Sequence, residues 1–299
     1  MFLSRLFMLL GVFLLSQAVF SFLGVAVCMR LFDLSYSDVL NLISTPRLSA
    51  EGVYTQRWVQ SFYNIGSFLI SAIVFAGFYR KPIPETLGLS SPAPLKQLLF
   101  VLAIAFTAIP VVSGLSAFNL KLPGIDQWAD LNKLQASRDA MLQILLHSYS
   151  WLDSLLLVLT LALVPAVSEE VFFRGLLQRF FSSWSFNKHI GIGVSAMLFT
   201  LLHFSVTQFV PILFMGLLLG YIYSWTGNLW VCILVHFLNN ATTVIFHRLS
   251  AQYQSVRMFQ DDYQPSALVF WLAAALLFGI LFWLHKKANR TATIESVWP

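Results

Sequence analysis

Long apolar runs, separated by short polar stretches, make up most of this chain. A run of about 20 apolar residues is long enough to cross the hydrocarbon core of a bilayer as an α-helix. Runs of about this length lie at residues 7–29, 62–78, 98–118, 152–181, 190–204, 209–225, 229–246 and 267–284. The pattern predicts an all-α, polytopic integral membrane protein with about eight transmembrane helices.

The connections between the runs add two predictions. Ser205, Thr207 and Gln208 alone separate the fifth run from the sixth, and Pro211 follows directly, which favours a tight hairpin. Between the third and fourth runs, residues 121–150 are polar but carry apolar residues at helical spacing, which predicts an amphipathic helix at the membrane interface. Its apolar residues are Trp128, Leu131, Leu134, Met141, Ile144 and Leu145.

The composition agrees with a chain that is solvated by lipid. Hydrophobic residues make up 58% of it and charged residues only 10%, against about 45–50% and about 25% in soluble proteins. The net charge of +5 is spread too thinly for a nucleic-acid-binding surface, so we expect no nucleic-acid partner. Cys28 and Cys232 fall inside apolar runs, which favours neither a disulfide nor a cysteine metal site.

Two features concern the membrane topology. The first run is longer than the apolar core of a secretory signal, so we expect an uncleaved anchor. Lys and Arg residues are almost balanced between the two sides, but the pairs Arg80-Lys81 and Lys286-Lys287 lie directly at helix ends. These pairs predict that both termini are cytoplasmic, in a plasma (inner) membrane.

The fourth run contains three charged residues close together, Glu169, Glu170 and Arg174. Each ionisable residue at mid-depth costs about 2.5–3.5 kcal/mol, so the cluster calls for a reason. Glu170 and Arg174 are four residues apart and can pair on one helix face, whereas Glu169 points about 100° away and is free to face a cavity. The alternative is that all three charges extend from the helix end to the lipid headgroups.

Two later runs contain histidines at helical spacing from a second notable residue. Phe199 precedes His203 by one turn in the fifth run, and His236 precedes Asn240 by one turn in the seventh. The simpler interpretation of the second pair is hydrogen bonding between helices. Gly216 and Gly220 in the sixth run form a small-residue face, which predicts close helix packing.

Taken in order, these motifs resemble those of the CPBP intramembrane proteases, also known as CAAX-processing and bacteriocin-processing enzymes or the abortive-infection family. The resemblance covers residues 152–247 and implies an all-helical membrane enzyme that cleaves membrane-associated proteins or peptides. It implies that Glu169 and His203 activate water and that His236 and Asn240 hold the scissile carbonyl. Glu170, Arg174 and Phe199 would support them.

On this basis we divide the chain into three parts. Residues 1–150 hold the first transmembrane helices and the amphipathic segment, residues 151–247 form the catalytic core, and residues 248–299 hold a loop, the last transmembrane helix and a tail. The expected partners are the bilayer and a membrane-associated peptide or protein substrate.

Chemistry leaves the metal question and the function class open. A carboxylate base and a pair of hydrogen-bond donors suffice for peptide hydrolysis, so we expect no required cofactor. Glu169, His203 and His236 are nevertheless ligand types that could form a Zn²⁺ site. The other functions to consider are a non-catalytic binding or immunity protein of the same fold and a proton-coupled transporter.

Overall fold

The computed structural model describes residues 2–79, 81–90, 95–123, 129–252 and 264–288, and all regular structure there is helical. A single helical turn at Ile83–Thr86 follows the third of the longer helices. The longer helices are α1 (Phe2–Phe32), α2 (Tyr36–Ser44), α3 (Ala50–Gly77), α4 (Leu95–Asn119), α5 (Ala129–Leu146), α6 (Trp151–Ser185), α7 (Lys188–Leu202), α8 (Phe209–Thr226), α9 (Leu229–Gln252) and α10 (Ala267–Ala288).

Seven helices in the described part of the chain are long and apolar enough to cross a membrane: α1, α3, α4, α6, α8, α9 and α10. This confirms the prediction of an all-α, multi-pass integral membrane protein. The predicted fifth span forms α7, which has only 15 residues. It is shorter than the others because the chain turns at His203 and Phe204, the latter with a left-handed φ of 48°.

The predicted start of the second span was wrong. Helix α3 begins at Ala50, not at residue 62, so Arg57 lies inside a helix rather than in a loop. An apolar run could not reveal this start, because the first turns of α3 are rich in polar residues such as Gln56 that are buried by neighbouring helices.

The predicted segment between the third and fourth spans is helical in α5. The end of α5 is buried against the rest of the molecule, at Ile144, Leu145 and Leu146. Trp128, which we assigned to the same helix, lies outside the described residues, as does the predicted tail beyond residue 288. The interfacial location of this helix stays a prediction.

Buried apolar side chains form two large clusters on either side of α9. One is built from α1, α3, α6 and α7 and includes Phe68, Phe173 and Phe199. The other is built mainly from α4, α8, α9 and α10. Helix α9 contributes Ile233 to the first cluster and Val235 to the second, so His236 lies on a helix that is packed on both sides.

The small-residue face of α8 packs closely on α7, as predicted. A Cβ atom added to Gly216 would lie 3.0 Å from the Cβ of Ala196, and one added to Gly220 would lie 2.9 Å from Ile192. Larger residues at either glycine would therefore push the two helices apart.

Three segments of the long helices have π-helical hydrogen bonding: Ile65–Ile70 in α3 and both Leu159–Leu163 and Val171–Gln178 in α6. Such segments are rare and occur frequently at functional sites. The third begins directly after Glu170 and carries Arg174. It therefore marks the part of α6 where the charged residues lie.

A buried ion pair joins α3 to the start of α6. The Nη1 atom of Arg57 lies 2.6 Å from Oδ1 of Asp153, and both side chains are almost fully buried. Arg57 also donates to the main-chain carbonyls of Leu145, at 3.1 Å, and His147. One guanidinium thus fastens together α3, the end of α5 and the first turn of α6.

We predict that Asp153→Ala lowers the thermal stability of the detergent-solubilised protein, because it leaves the buried Arg57 charge without a negative counter-charge. Removing one member of a buried pair costs about 3–5 kcal/mol. Asp38→Ala is the control and should cost less, because Asp38 is exposed and its carboxylate makes a local capping contact with Ser35 at the start of α2. The double variant Arg57→Met/Asp153→Leu removes both charges and should have a higher melting temperature than Asp153→Ala. A lower melting temperature for the double variant would contradict the explanation by an uncompensated Arg57 charge.

Candidate active site

The charged residues of α6 are buried at the centre of the helix bundle. Glu170 and Arg174 are 0% and 1% exposed, and Glu169 is 7% exposed. Full burial excludes the alternative in which these charges extend to the lipid headgroups. Buried charges persist only when they are paired or hydrogen-bonded, so their partners define the site.

Glu170 binds both Arg174 and His236 through one oxygen. Its Oε1 accepts a hydrogen bond from Nη1 of Arg174 at 2.6 Å and lies 2.8 Å from Nδ1 of His236. Because this oxygen already accepts from a cation, the imidazole contributes the proton, and Nδ1–H of His236 donates to Glu170. The predicted Glu170–Arg174 pair is present, and it also orients a histidine from α9.

Glu169 faces the opposite nitrogen of the same histidine. Its Oε2 lies 3.9 Å from Nε2 of His236. The two neighbouring glutamates of α6 therefore face the two nitrogens of one imidazole. Glu170 forms a hydrogen bond at 2.8 Å, whereas Glu169 lies 3.9 Å away.

The formal charges of this group do not cancel. Arg174 contributes one positive charge and the two ionised glutamates contribute two negative charges. A net charge in an apolar, buried site is costly.

The ring of Phe199, on α7, connects this group to His203. The guanidinium carbon of Arg174 lies 4.9 Å from the centre of the Phe199 ring, a cation–π contact. The same ring centre lies 6.0 Å from that of His236 and 4.5 Å from that of His203. Phe199 therefore separates the two histidines and fixes their spacing.

His203 caps the end of α7 with its own side chain. Its Nδ1 lies 2.7 Å from the main-chain oxygen of Phe199, and a carbonyl can only accept, so Nδ1 carries the proton. In the neutral imidazole this leaves an electron pair on Nε2. His203 is half-buried and is thus available as a proton acceptor.

Asn240 lies one turn beyond His236 on α9 and is half-buried. Its Oδ1 accepts a hydrogen bond from Nδ2 of Asn239 at 3.3 Å, which leaves its own amide group to donate. Within the described part of the chain, no hydrogen bond joins either Asn240 or His203 to Glu169 or Glu170. The structure thus brings Glu169, Glu170, Arg174 and His236 together directly and connects His203 through Phe199.

The three possible zinc ligands named from the sequence do not lie together. Among the described residues, no group of three His, Cys, Asp or Glu side chains is placed to hold a metal ion. Glu169 and His236 are near each other, but His203 does not join them as a third ligand. We therefore derive no chemical step through a metal.

Gln178 is a polar contact of this helix that the sequence motifs do not include. Its Nε2 donates to the main-chain oxygen of Gly220 at 2.9 Å, four residues along α8 from Gly216, whose oxygen accepts from Arg174 at 3.1 Å. The signal was available in the sequence, because Gln178 follows Arg174 by four residues in an otherwise apolar run. The two bonds hold the charged part of α6 against α8.

Comparisons with known proteins match this same part of the chain. Residues 151–242 match the sequence profile described as type II CAAX prenyl endopeptidase Rce1-like. The chain is also 35% identical over 88 residues to the uncharacterized protein YpbD of Bacillus subtilis. That alignment covers 28% of this chain and 42% of YpbD, so the chain spans less than half of its relative. No solved structure matches the chain.

The profile match begins at the first residue of α6 and ends in α9, two residues beyond Asn240. It contains every residue of the buried charged group, both histidines and the small-residue face of α8. Residues 151–242, here called the Rce1-like domain, are therefore similar to type II CAAX prenyl endopeptidases, as the order of their motifs predicts.

Proposed function

We propose that this protein is an intramembrane endopeptidase that hydrolyses a peptide bond in a membrane-associated protein or peptide. The observation that carries the proposal is the buried group of Glu169, Glu170, Arg174 and His236, in which one carboxylate orients the histidine and the other faces its free nitrogen. A purely structural ion pair needs only Glu170 and Arg174. The second carboxylate and the histidine supply acid–base chemistry.

In the proposed reaction, Glu169 removes a proton from a water molecule, and His203 accepts a hydrogen bond from the same water through Nε2. The hydroxide attacks the carbonyl carbon, and the electron pair of the C=O bond moves to oxygen. Glu169 then gives its proton to the departing amine nitrogen while the electron pair on oxygen re-forms the C=O bond, so the C–N bond breaks and the carboxylate is regenerated.

The negative oxygen that forms in this reaction needs donors, and α9 supplies two candidates. Nδ1–H of His236 is committed to Glu170, so Nε2 can donate only when the imidazole carries both protons. The two carboxylates beside this imidazole would stabilise the positive charge of that state. The amide of Asn240, one turn along, is the second donor.

We predict that Glu169→Gln abolishes peptide cleavage without unfolding the protein, because it removes the base but keeps the size of the side chain. General acid–base groups accelerate reactions by about 10²–10⁴-fold, so kcat should decrease by at least about 10²-fold. The measurement compares the peptides in membranes that contain the wild-type protein or the variant, followed by kinetics on a synthetic peptide spanning the identified cleavage site.

The matched control is Glu85→Gln, since Glu85 is an exposed glutamate next to Lys81. Its peptide pattern should equal that of the wild-type protein. If purified Glu169→Gln cleaves at nearly the wild-type rate, the assigned base is wrong. If wild-type and Glu169→Gln membranes contain the same peptides, the proposed protease activity is wrong.

Arg174→Ala should lower both stability and activity, because it leaves Glu170 charged and fully buried while His236 loses its oriented partner. We expect a loss of about 3–5 kcal/mol in the free energy of unfolding. Arg30→Ala is the control, because Arg30 is exposed in the last turn of α1. An unchanged melting temperature in Arg174→Ala would show that the Glu170–Arg174 pair does not stabilise the site.

A chelation experiment separates metal-free hydrolysis from zinc hydrolysis. If water is activated by Glu169 and His203 alone, a strong chelator should leave the rate nearly unchanged. In that case Asn240→Ala should lower kcat by about 10²–10³, as the loss of one oxyanion donor does in another protease, whereas the exposed Asn41→Ala should not. The metal-free mechanism would be wrong if the protein contains about one zinc ion per chain, if the chelator removes zinc and activity together, and if added zinc alone restores the activity.

A further inference from the structure

The turn that carries His203 is held by α4, a helix outside the Rce1-like domain. Asn119, the last residue of α4, donates from Nδ2 to the main-chain oxygen of Val206 at 2.9 Å. Its Oδ1 accepts from the main-chain N–H of Val210, also at 2.9 Å. One side-chain amide therefore bridges the turn between α7 and the first residues of α8.

The bridge supplies a helix cap that α8 cannot provide for itself. The first N–H groups of a helix have no partner within the helix. Gln208 occupies the cap position of α8 but makes no capping bond with its side chain. That side chain is engaged elsewhere, since its Oε1 accepts a hydrogen bond from Ser116 of α4 at 3.1 Å.

Burial makes the bridge a defined contact rather than a surface bond. Asn119 is 1% exposed and Ser116 is 8% exposed. Both lie one turn apart at the end of α4. A buried amide or hydroxyl group that loses its hydrogen bond is costly, because water cannot easily replace the lost partner. The two polar contacts therefore specify where this turn lies.

On the other side of the turn, the chain is held by the end of α7. His203 is held there by its imidazole, which donates to Phe199, and by its N–H, which donates to the oxygen of Thr200 at 3.2 Å. Phe204 follows with a left-handed backbone, a strained conformation for a residue with a bulky side chain. Contacts further along the turn must therefore hold it in this conformation.

We propose that Asn119 is a positioning residue for His203, so that α4 is part of the catalytic unit although it lies outside residues 151–242. The inference rests on the proposed role of His203 in water activation. Asn119 acts by fixing the turn from Val206 to Val210, which holds the strained residue Phe204 and thereby the last turn of α7. Ser116 assists by holding Gln208.

The chemistry of the bridge allows its two halves to be separated. Asn119→Leu removes both hydrogen bonds while keeping the number and branching of the side-chain heavy atoms. Asn119→Asp keeps an acceptor for Val210, and its charge is favoured at a helix N-terminus, but it loses the donor to Val206. Asn187→Ala is the matched control, because Asn187 caps the opposite end of α7 by accepting from the N–H of His189.

The first measurement does not depend on substrate. Hydrogen–deuterium exchange of peptides covering residues 203–212 should become at least about tenfold faster in Asn119→Leu, and the ¹⁵N resonance of Nδ1 of His203 should shift. Asn119→Asp should protect the amide of Val210 but not the turn before it. Asn187→Ala should change neither signal near His203, even if its melting temperature falls.

The second measurement uses the synthetic peptide from the membrane comparison. Asn119→Leu should lower kcat at least about tenfold with little change in KM, whereas Asn187→Ala should not. The proposal is wrong if Asn119→Leu leaves both the exchange rates and the His203 resonance unchanged. It is also wrong if Asn119→Leu lowers the melting temperature but keeps the wild-type kcat. If Asn119→Leu does not fold, Asn119→Asp and Ser116→Ala give the same two readouts, and absence of a shift in both variants overturns it.

These results distinguish the failure of this proposal from the failure of the proposed function. If the wild-type protein cleaves no peptide, the exchange and ¹⁵N measurements still decide whether Asn119 positions His203. If cleavage depends on Glu169 but the Asn119 variants change neither the exchange rates nor the His203 resonance, the protease assignment holds and the positioning role is wrong.

Discussion

One oxygen atom, Oε1 of Glu170, holds the centre of this molecule together. It binds a guanidinium from its own helix and an imidazole from α9, and the guanidinium continues to Gly216 on α8 and to the ring of Phe199 on α7. All four helices of the Rce1-like domain therefore meet at one ion pair. In a low-dielectric interior such a network is strong only when its members are bonded together, so its geometry constrains every helix that enters it.

The spacing of residues along one helix was enough to predict part of this centre. Four residues separate Glu170 from Arg174, and four separate Gly216 from Gly220, so each pair had to share a face. The structure shows the first pair as an ion pair and the second as the close contact with α7. The all-helical fold followed in the same way from the length of the apolar runs.

Contacts between distant parts of the chain could not be read from the same patterns. Arg57 and Asp153 are 96 residues apart, and Asn119 is 87 residues from Val206. No periodicity links such residues, because their contact depends on how whole helices pack. The π-helical segments were missed for a related reason, since they change the backbone hydrogen bonds while leaving the run of apolar side chains unbroken.

The shortness of α7 has a consequence for the lipid around the protein. Fifteen residues give a helix about 22 Å long, while the hydrocarbon core of a bilayer is about 30 Å thick. A protein whose apolar height is locally too small draws the surrounding lipid inwards and thins the bilayer. Next to the turn after His203, the membrane surface should therefore lie closer to the proposed site than it does elsewhere around the protein, which shortens the distance that water must travel to reach it.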